Sequence, residues 1–208
     1  MILAVAVVVG VAYFSVIRRQ AEIKAKRIAC VSRLKNVGLS VRLWSGDHGD
    51  KYPAQVSVTN GGVMELVNAG SIFTYFNVMS NELSTPILVA CPADAQRKQA
   101  RRFSSLAVSN VSYFVGLDAS EVQPQGLLAG DRNLATNGIP LTPGITTLFT
   151  NTPVNWTADL HAHQGNVALS DGSVQQLNNS NLVEAVRWSG PSIPGPGVTN
   201  WFFRLAIP

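Results

Sequence analysis

"RIACVSRLKNVGLSVRLWSGDHGDKYP", residues 27–53, carries a single apolar stripe. Ile28, Val31, Leu34, Val37, Val41 and Trp44 recur at spacings of three and four, the period of a helix with one face to bury. Arg27, Arg33, Lys35 and Arg42 fall mostly off that stripe. Gly38 is tolerable inside such a helix at a cost of about 1 kcal/mol, and Gly46, Gly49 and Pro53 bring it to a stop. Upstream the helical pattern is unbroken. The segment "MILAVAVVVGVAYFSVI", residues 1–17, precedes the first charge, Arg18. At about 1.5 Å per residue it would cover roughly 26 Å, slightly less than the ~30 Å hydrocarbon core of a bilayer. Tyr13 and Phe14 suit an interface, and Arg18 and Arg19 can snorkel to it. A cleaved secretory signal fits less well, because no basic segment precedes the apolar run and no small-residue cleavage site follows it. A buried core helix also fits less well. The expectation is one long helix: a transmembrane anchor over 1–17, continued by an amphipathic half over 18–53.

Charge is distributed to match. The chain of 208 residues has a net charge of +4, yet seven basic residues lie between Arg18 and Lys35 with Glu22 as the only acid among them. The remainder is slightly acidic. The basicity is therefore a local stripe beside an apolar segment, which favours lipid headgroups over nucleic acid. From residue 54 the texture changes, with frequent Gly, Pro, Asn, Ser and Thr and no long helical period. "VMELVNAG" and "NSNLVEAVRW" read as short helices, and "SNVSYFVGL" and "GLLAG" as strands. "GNVALSDGSVQQL" reads as two strands joined at Asp171-Gly172 by a type I′ turn. "GPSIPGPG" is a loop, and "TNWFFRLAIP" a last strand. The expected fold class is α+β, with the long helix packed on a small antiparallel-β head over 54–208.

Several of these stretches together resemble a known group. The basic segment, Cys30, the "LKNVGL" run and "DHGDKYP" resemble the helix-to-head region of pseudopilin-like proteins related to type II secretion and type IV pili. His161, nine intervening residues and Asp171-Gly172 match the spacing of that group's C-terminal signature. "MSNELSTPILVACPAD" and "SNVSYFVGLDA" resemble internal segments, so the resemblance covers residues 18–208. The glutamate that the family carries near its mature start has no counterpart before Glu22. The resemblance implies a structural or assembly subunit rather than an enzyme, anchored once in the cytoplasmic membrane with its head on the periplasmic side. It implies lipid and other pseudopilin-like subunits or secretion-machine proteins as partners, and no nucleic acid. The alternative is a membrane-anchored binding protein that keeps the fold without forming filaments.

Catalytic and metal-binding readings of the residues are weaker. In a strand, His161 and His163 would face one side, and Asp159 or Asp171 could join them. A closed zinc site needs four ligands, however, and a catalytic one three. The remaining histidine, His48, is distant in sequence beside Asp47 and Asp50. Ser170, Asp171 and His161 lack the nucleophile elbow of a hydrolase. The expectation is that His161, Asp171 and Gly172 are structural, with His161 bonding backbone near the hairpin, and that there is no catalytic residue, metal or cofactor. "DHGDKYP" reads as a helix-ending turn rather than a calcium loop. Arg97, Lys98, Arg101 and Arg102 read as a solvated loop, with an anionic partner as the competing reading. Cys30 and Cys91 are left open. Outside the cytoplasm they could pair, closing a loop worth on the order of 4 kcal/mol in the chain-entropy account, while Cys30 also reads as a small apolar residue beside the packed stripe.

Overall fold

The helical period of the opening stretch produces α1 (Ile2–Gly46), a helix of 45 residues and roughly 68 Å. The computed structural model describes residues 2–189 and 202–208, with side chains from residue 13 onward. Only the C-terminal part of α1 is packed. Its buried row is Cys30, Leu34, Val37, Val41 and Trp44. The packed face thus begins at Cys30 rather than Ile28, which is 66% exposed. Upstream, residues 13–26 are exposed.

The expected membrane half of this helix is corrected. Among the described residues no helix is long and apolar enough to cross a membrane. From Tyr13 onward the helix carries Arg18, Arg19, Glu22, Lys24, Lys26 and Arg27 within a few turns, a charge density that hydrocarbon does not tolerate. The single-pass inner-membrane placement is corrected with it. The side chains of residues 1–12, part of the expected anchor over 1–17, lie outside the described residues.

After α1 the chain forms three short helices, α2 (Met64–Asn68), α3 (Phe73–Asn77) and α4 (Ser80–Leu83). Strands follow as β1 (Tyr113–Gly116), β2 (Leu127–Asp131), β3 (Leu134–Thr136), β4 (Ile139–Pro140), β5 (Gly144–Phe149), β6 (Val154–Trp156), β7 (Gly165–Leu169) and β8 (Val174–Leu177). The helix α5 (Asn179–Trp188) and the strand β9 (Phe202–Ile207) complete the order. The "GPSIPGPG" stretch lies outside the described residues. The strands form an antiparallel sheet of six, ordered β5-β9-β1-β2-β7-β8, and a second of three, ordered β4-β3-β6. The fold is α+β.

The larger sheet is covered on both faces. One core joins α1 and the short helices to Tyr113, Val115, Leu128 and Ala168. The other joins Phe114, Leu127, Val167 and Leu169 to Trp156 of the small sheet and to Leu182 and Val186 of α5. β1, β2 and β7 are consequently buried at every position, the pattern of strands with no solvent face.

The hairpin between β7 and β8 turns differently from a type I′ turn. Gly172 has φ +83°, while Asp171 is not among the residues of positive φ. Gly172 N–H donates to Leu169 O at 2.9 Å, and Leu169 N–H to Ser173 O at 2.9 Å. This is a three-residue loop that ends in a left-handed glycine, the bulged hairpin. Asp171 Oδ1 accepts from Ser173 N–H at 2.8 Å, and Arg42 Nη1 on α1 donates to Asp171 O at 2.9 Å. The Asp-Gly tip thereby docks on the helix. Gly172→Val is expected to lower the unfolding free energy by about 1–3 kcal/mol through backbone strain, read as a lower urea midpoint. An unchanged midpoint would remove the need for positive φ there.

Candidate functional site

Four chain segments meet beneath the packed half of α1. Cys30 comes from α1, Cys91 follows a one-turn helix over Pro86–Val89, Asp131 ends β2, and His161 lies in the turn before β7. Their ligand atoms, two thiol sulfurs, a carboxylate oxygen and a ring nitrogen, all lie within 4.8 Å of one another. Cys30 Sγ is 3.2 Å from Asp131 Oδ1. His161 Nε2 is 3.4 Å from Cys91 Sγ and 3.4 Å from Asp131 Oδ2. The side chains of His161 and Asp131 are 1% and 0% exposed. Both cysteines are buried and free.

Each member is held from behind. Asp131 Oδ2 accepts from Asn166 N–H at 2.7 Å and from Asn166 Nδ2 at 2.9 Å. The Tyr113 hydroxyl lies 3.3 Å from Cys30 Sγ, and Ala93 N–H donates to Cys91 Sγ at 3.4 Å. Arg27 Nη1 donates to Gln164 Oε1 at the edge of the cluster. His161 is held by its backbone. His161, Ala162 and His163 have φ of 50°, 52° and 60°, three consecutive left-handed residues without a glycine. Such a run costs roughly 1–2 kcal/mol per residue, and strain of this kind persists only where surrounding structure imposes it. Asn133 Nδ2 imposes it, donating to Thr157 O and Leu160 O at 3.0 Å and to Gln164 O at 3.3 Å.

The groups perturb one another. Burial pushes Asp131 up to about 7, and the nearby Cys91 charge adds to this. Burial also drives Cys30 strongly upward. Cys91 moves the other way, to about 5, first because the Cys30 thiol donates to it and then because His161 stands beside it, against the effect of burial. Burial alone would lower His161, but its bond to Cys91 and the Asp131 charge outweigh that and raise it. The opposite shifts draw Cys91 and His161 toward an ion pair, while burial keeps Cys30 as a thiol. The pair is sealed from solvent, so a reactive thiolate here has no path to a substrate of any size.

The sequence expectation for the histidines is thus revised. They sit in a turn and do not alternate in a strand. His161 points inward to Cys91 and Asp131, whereas His163 is exposed, its Nδ1 donating to Trp156 O at 3.3 Å. His48 stacks on Trp44 with ring centroids 3.5 Å apart and stays out of the cluster. Cys30 and Cys91 are brought together as free thiols. Arg97 donates to Pro208 O at 2.8 Å, and Lys98, Arg101 and Arg102 are exposed. Asp131 and Asn166 were not anticipated. The only signal was a carboxylate closing an apolar strand, "LLAGD", where a charge buried on both sheet faces requires partners. Compared with known proteins, the chain matches no family model, no curated protein and no solved structure.

Proposed function

We propose that the chain is a pseudopilin-like assembly subunit, whose head is carried on α1 and whose α1 packs against the helices of further copies. The observation that carries this reading is a second apolar stripe on α1. Phe14, Ile17, Ala21, Ala25 and Ile28 recur at spacings of three and four and are all exposed. Leu39 and Leu43 continue the same side and are 54% and 55% exposed. This side lies opposite the row from Cys30 to Trp44 that faces the head. A helix that buries one face in its own domain and leaves a second apolar face, interrupted at Ser32 and Lys35, is suited to helix–helix contact between subunits. The resemblance over residues 18–208 points the same way, and the sealed character of the Cys30–His161 cluster suits a structural role better than catalysis.

Sedimentation velocity and negative-stain electron microscopy of the full chain test the reading. Wild type is expected to form multi-subunit species, and Leu39→Glu with Leu43→Glu to shift it toward monomer without changing its melting temperature, since neither side chain belongs to the core. A wild type that stays monomeric would favour a binding protein that keeps the fold without assembling.

A further inference from the structure

We propose that Cys30, Cys91, Asp131 and His161 together bind one zinc ion, which fastens α1 to the head. This does not depend on the assembly reading. Zinc takes thiolate, imidazole and carboxylate ligands with bonds of about 2.0–2.3 Å, in tetrahedral geometry when the site is structural. The edges of such a tetrahedron are roughly 3.3–3.8 Å, which follows from those bond lengths. Cys30 Sγ–Asp131 Oδ1 at 3.2 Å is just below that range and Cys91 Sγ–His161 Nε2 at 3.4 Å at its lower end, with all four ligand atoms within 4.8 Å of one another, so small movements of the ligand atoms make room for the ion. Two sulfurs, one nitrogen and one oxygen in a tetrahedral set select zinc over calcium or magnesium, which require more oxygens.

The surroundings have the form of a metal site's supporting shell. Asn166 fixes one carboxylate oxygen of Asp131 through two donors and leaves Oδ1 directed at Cys30. Supporting bonds of this kind orient ligands and are costly to lose. Two thiolates, a carboxylate and a neutral imidazole leave one negative charge in excess over a divalent ion. Arg27, close enough to interact with both Asp131 and Cys30, offsets it. The strained turn at residues 161–163 also acquires a purpose, since it directs Nε2 inward from a segment that a relaxed strand would point elsewhere. Four protein ligands leave no open position, so the ion is structural. It joins residues separated by up to 131 positions along the chain.

The full chain is purified under reducing conditions without chelator, and its metal is counted by plasma mass spectrometry. One zinc per chain is expected, and X-ray absorption should show two sulfur and two nitrogen or oxygen neighbours. Removal by a strong chelator should lower the melting temperature by on the order of 10 °C, with recovery on adding zinc chloride. Cys91→Ser and His161→Ala should each reduce zinc content at least about tenfold. If either variant fails to fold, wild-type stoichiometry and absorption spectra decide. A reduced, zinc-supplemented wild type that retains no metal after gel filtration would overturn the proposal. So would a Cys30–Cys91 disulfide in protein purified without reductant, shown by peptide mapping, or bound zinc with no sulfur neighbours.

Discussion

Asp94→Ala is expected to lower the unfolding free energy by about 3 kcal/mol at pH 7, the cost of stranding one member of a buried ion pair. Arg132 Nε and Nη2 donate to the two oxygens of Asp94 at 2.8 and 2.9 Å, a bidentate arrangement that is geometrically specific. The side chains are 11% and 1% exposed. Arg132 retains Gln96 Oε1 at 3.0 Å, which places the loss at the lower end of the range for buried pairs. Replacing both residues, Asp94→Leu with Arg132→Met, should recover most of it, because no charge is left unpaired. The pair also has a characteristic pH dependence. Burial pushes the Asp94 carboxyl up, but the bonds from Arg132 outweigh this and hold it below its usual range. Its contribution is therefore complete above the unfolded-state value of about 4 and is lost as pH falls through the lower folded value. Urea titrations at neutral and acid pH should show the gap between wild type and Asp94→Ala narrowing below about pH 4. A constant gap would mean that the charge plays no part. The consequence reaches the zinc-ligand cluster: Asp94 N–H donates to Cys91 O at 3.0 Å and Arg132 follows Asp131, so this pair ties the Cys91 loop to the end of β2.

What could be read from the sequence was local. The packed face of α1 follows from a period of three and four, and the β7–β8 hairpin from Asp171-Gly172, because both patterns are complete within a few residues. The turn type differs from the expected one because Asp-Gly serves a bulged loop as well as a type I′ turn, and only the register of Leu169 with Ser173 distinguishes them. The left-handed run at His161–His163 was out of reach. It lacks the glycine or asparagine that marks such backbone, and is imposed by Asn133, more than twenty positions earlier. The cluster was hidden for the same reason. Cys30, Cys91, Asp131 and His161 fit no ligand-spacing motif, since each arrives on a separate segment and the sheet order brings them together. The membrane reading rests on the apolar composition of residues 1–17, whereas from Arg18 the helix carries six charges in ten residues.

Trp156→Ala should be the most damaging single core change, at about 3–5 kcal/mol. The ring, carried by the small sheet, is fully buried in the core that joins the larger sheet to α5, while the backbone N–H of Trp156, which the substitution leaves in place, donates to Asn179 Oδ1 at 2.8 Å. Its other neighbour is a glycine chosen for its lack of a side chain. A Cβ at Gly165 would lie 2.6 Å from three atoms of the indole, closer than carbon atoms approach one another. Gly165→Ala alone should therefore cost about 1–3 kcal/mol by overpacking. The two changes compensate in part, because the methyl added at Gly165 enters the space the indole vacates. The double variant should be less destabilised than the sum of the singles by about 1 kcal/mol, a coupling typical of residues in contact. Urea unfolding of the four proteins measures it. Strict additivity would show that β7 moves away from the ring at no cost. If the coupling is found, the ring sets the path of the chain into β7. Asn166 is the next residue along that path, and its backbone N–H and side chain hold Asp131 in the cluster. The packing of one indole against one glycine would then fix the position of a carboxylate on the opposite face of the sheet.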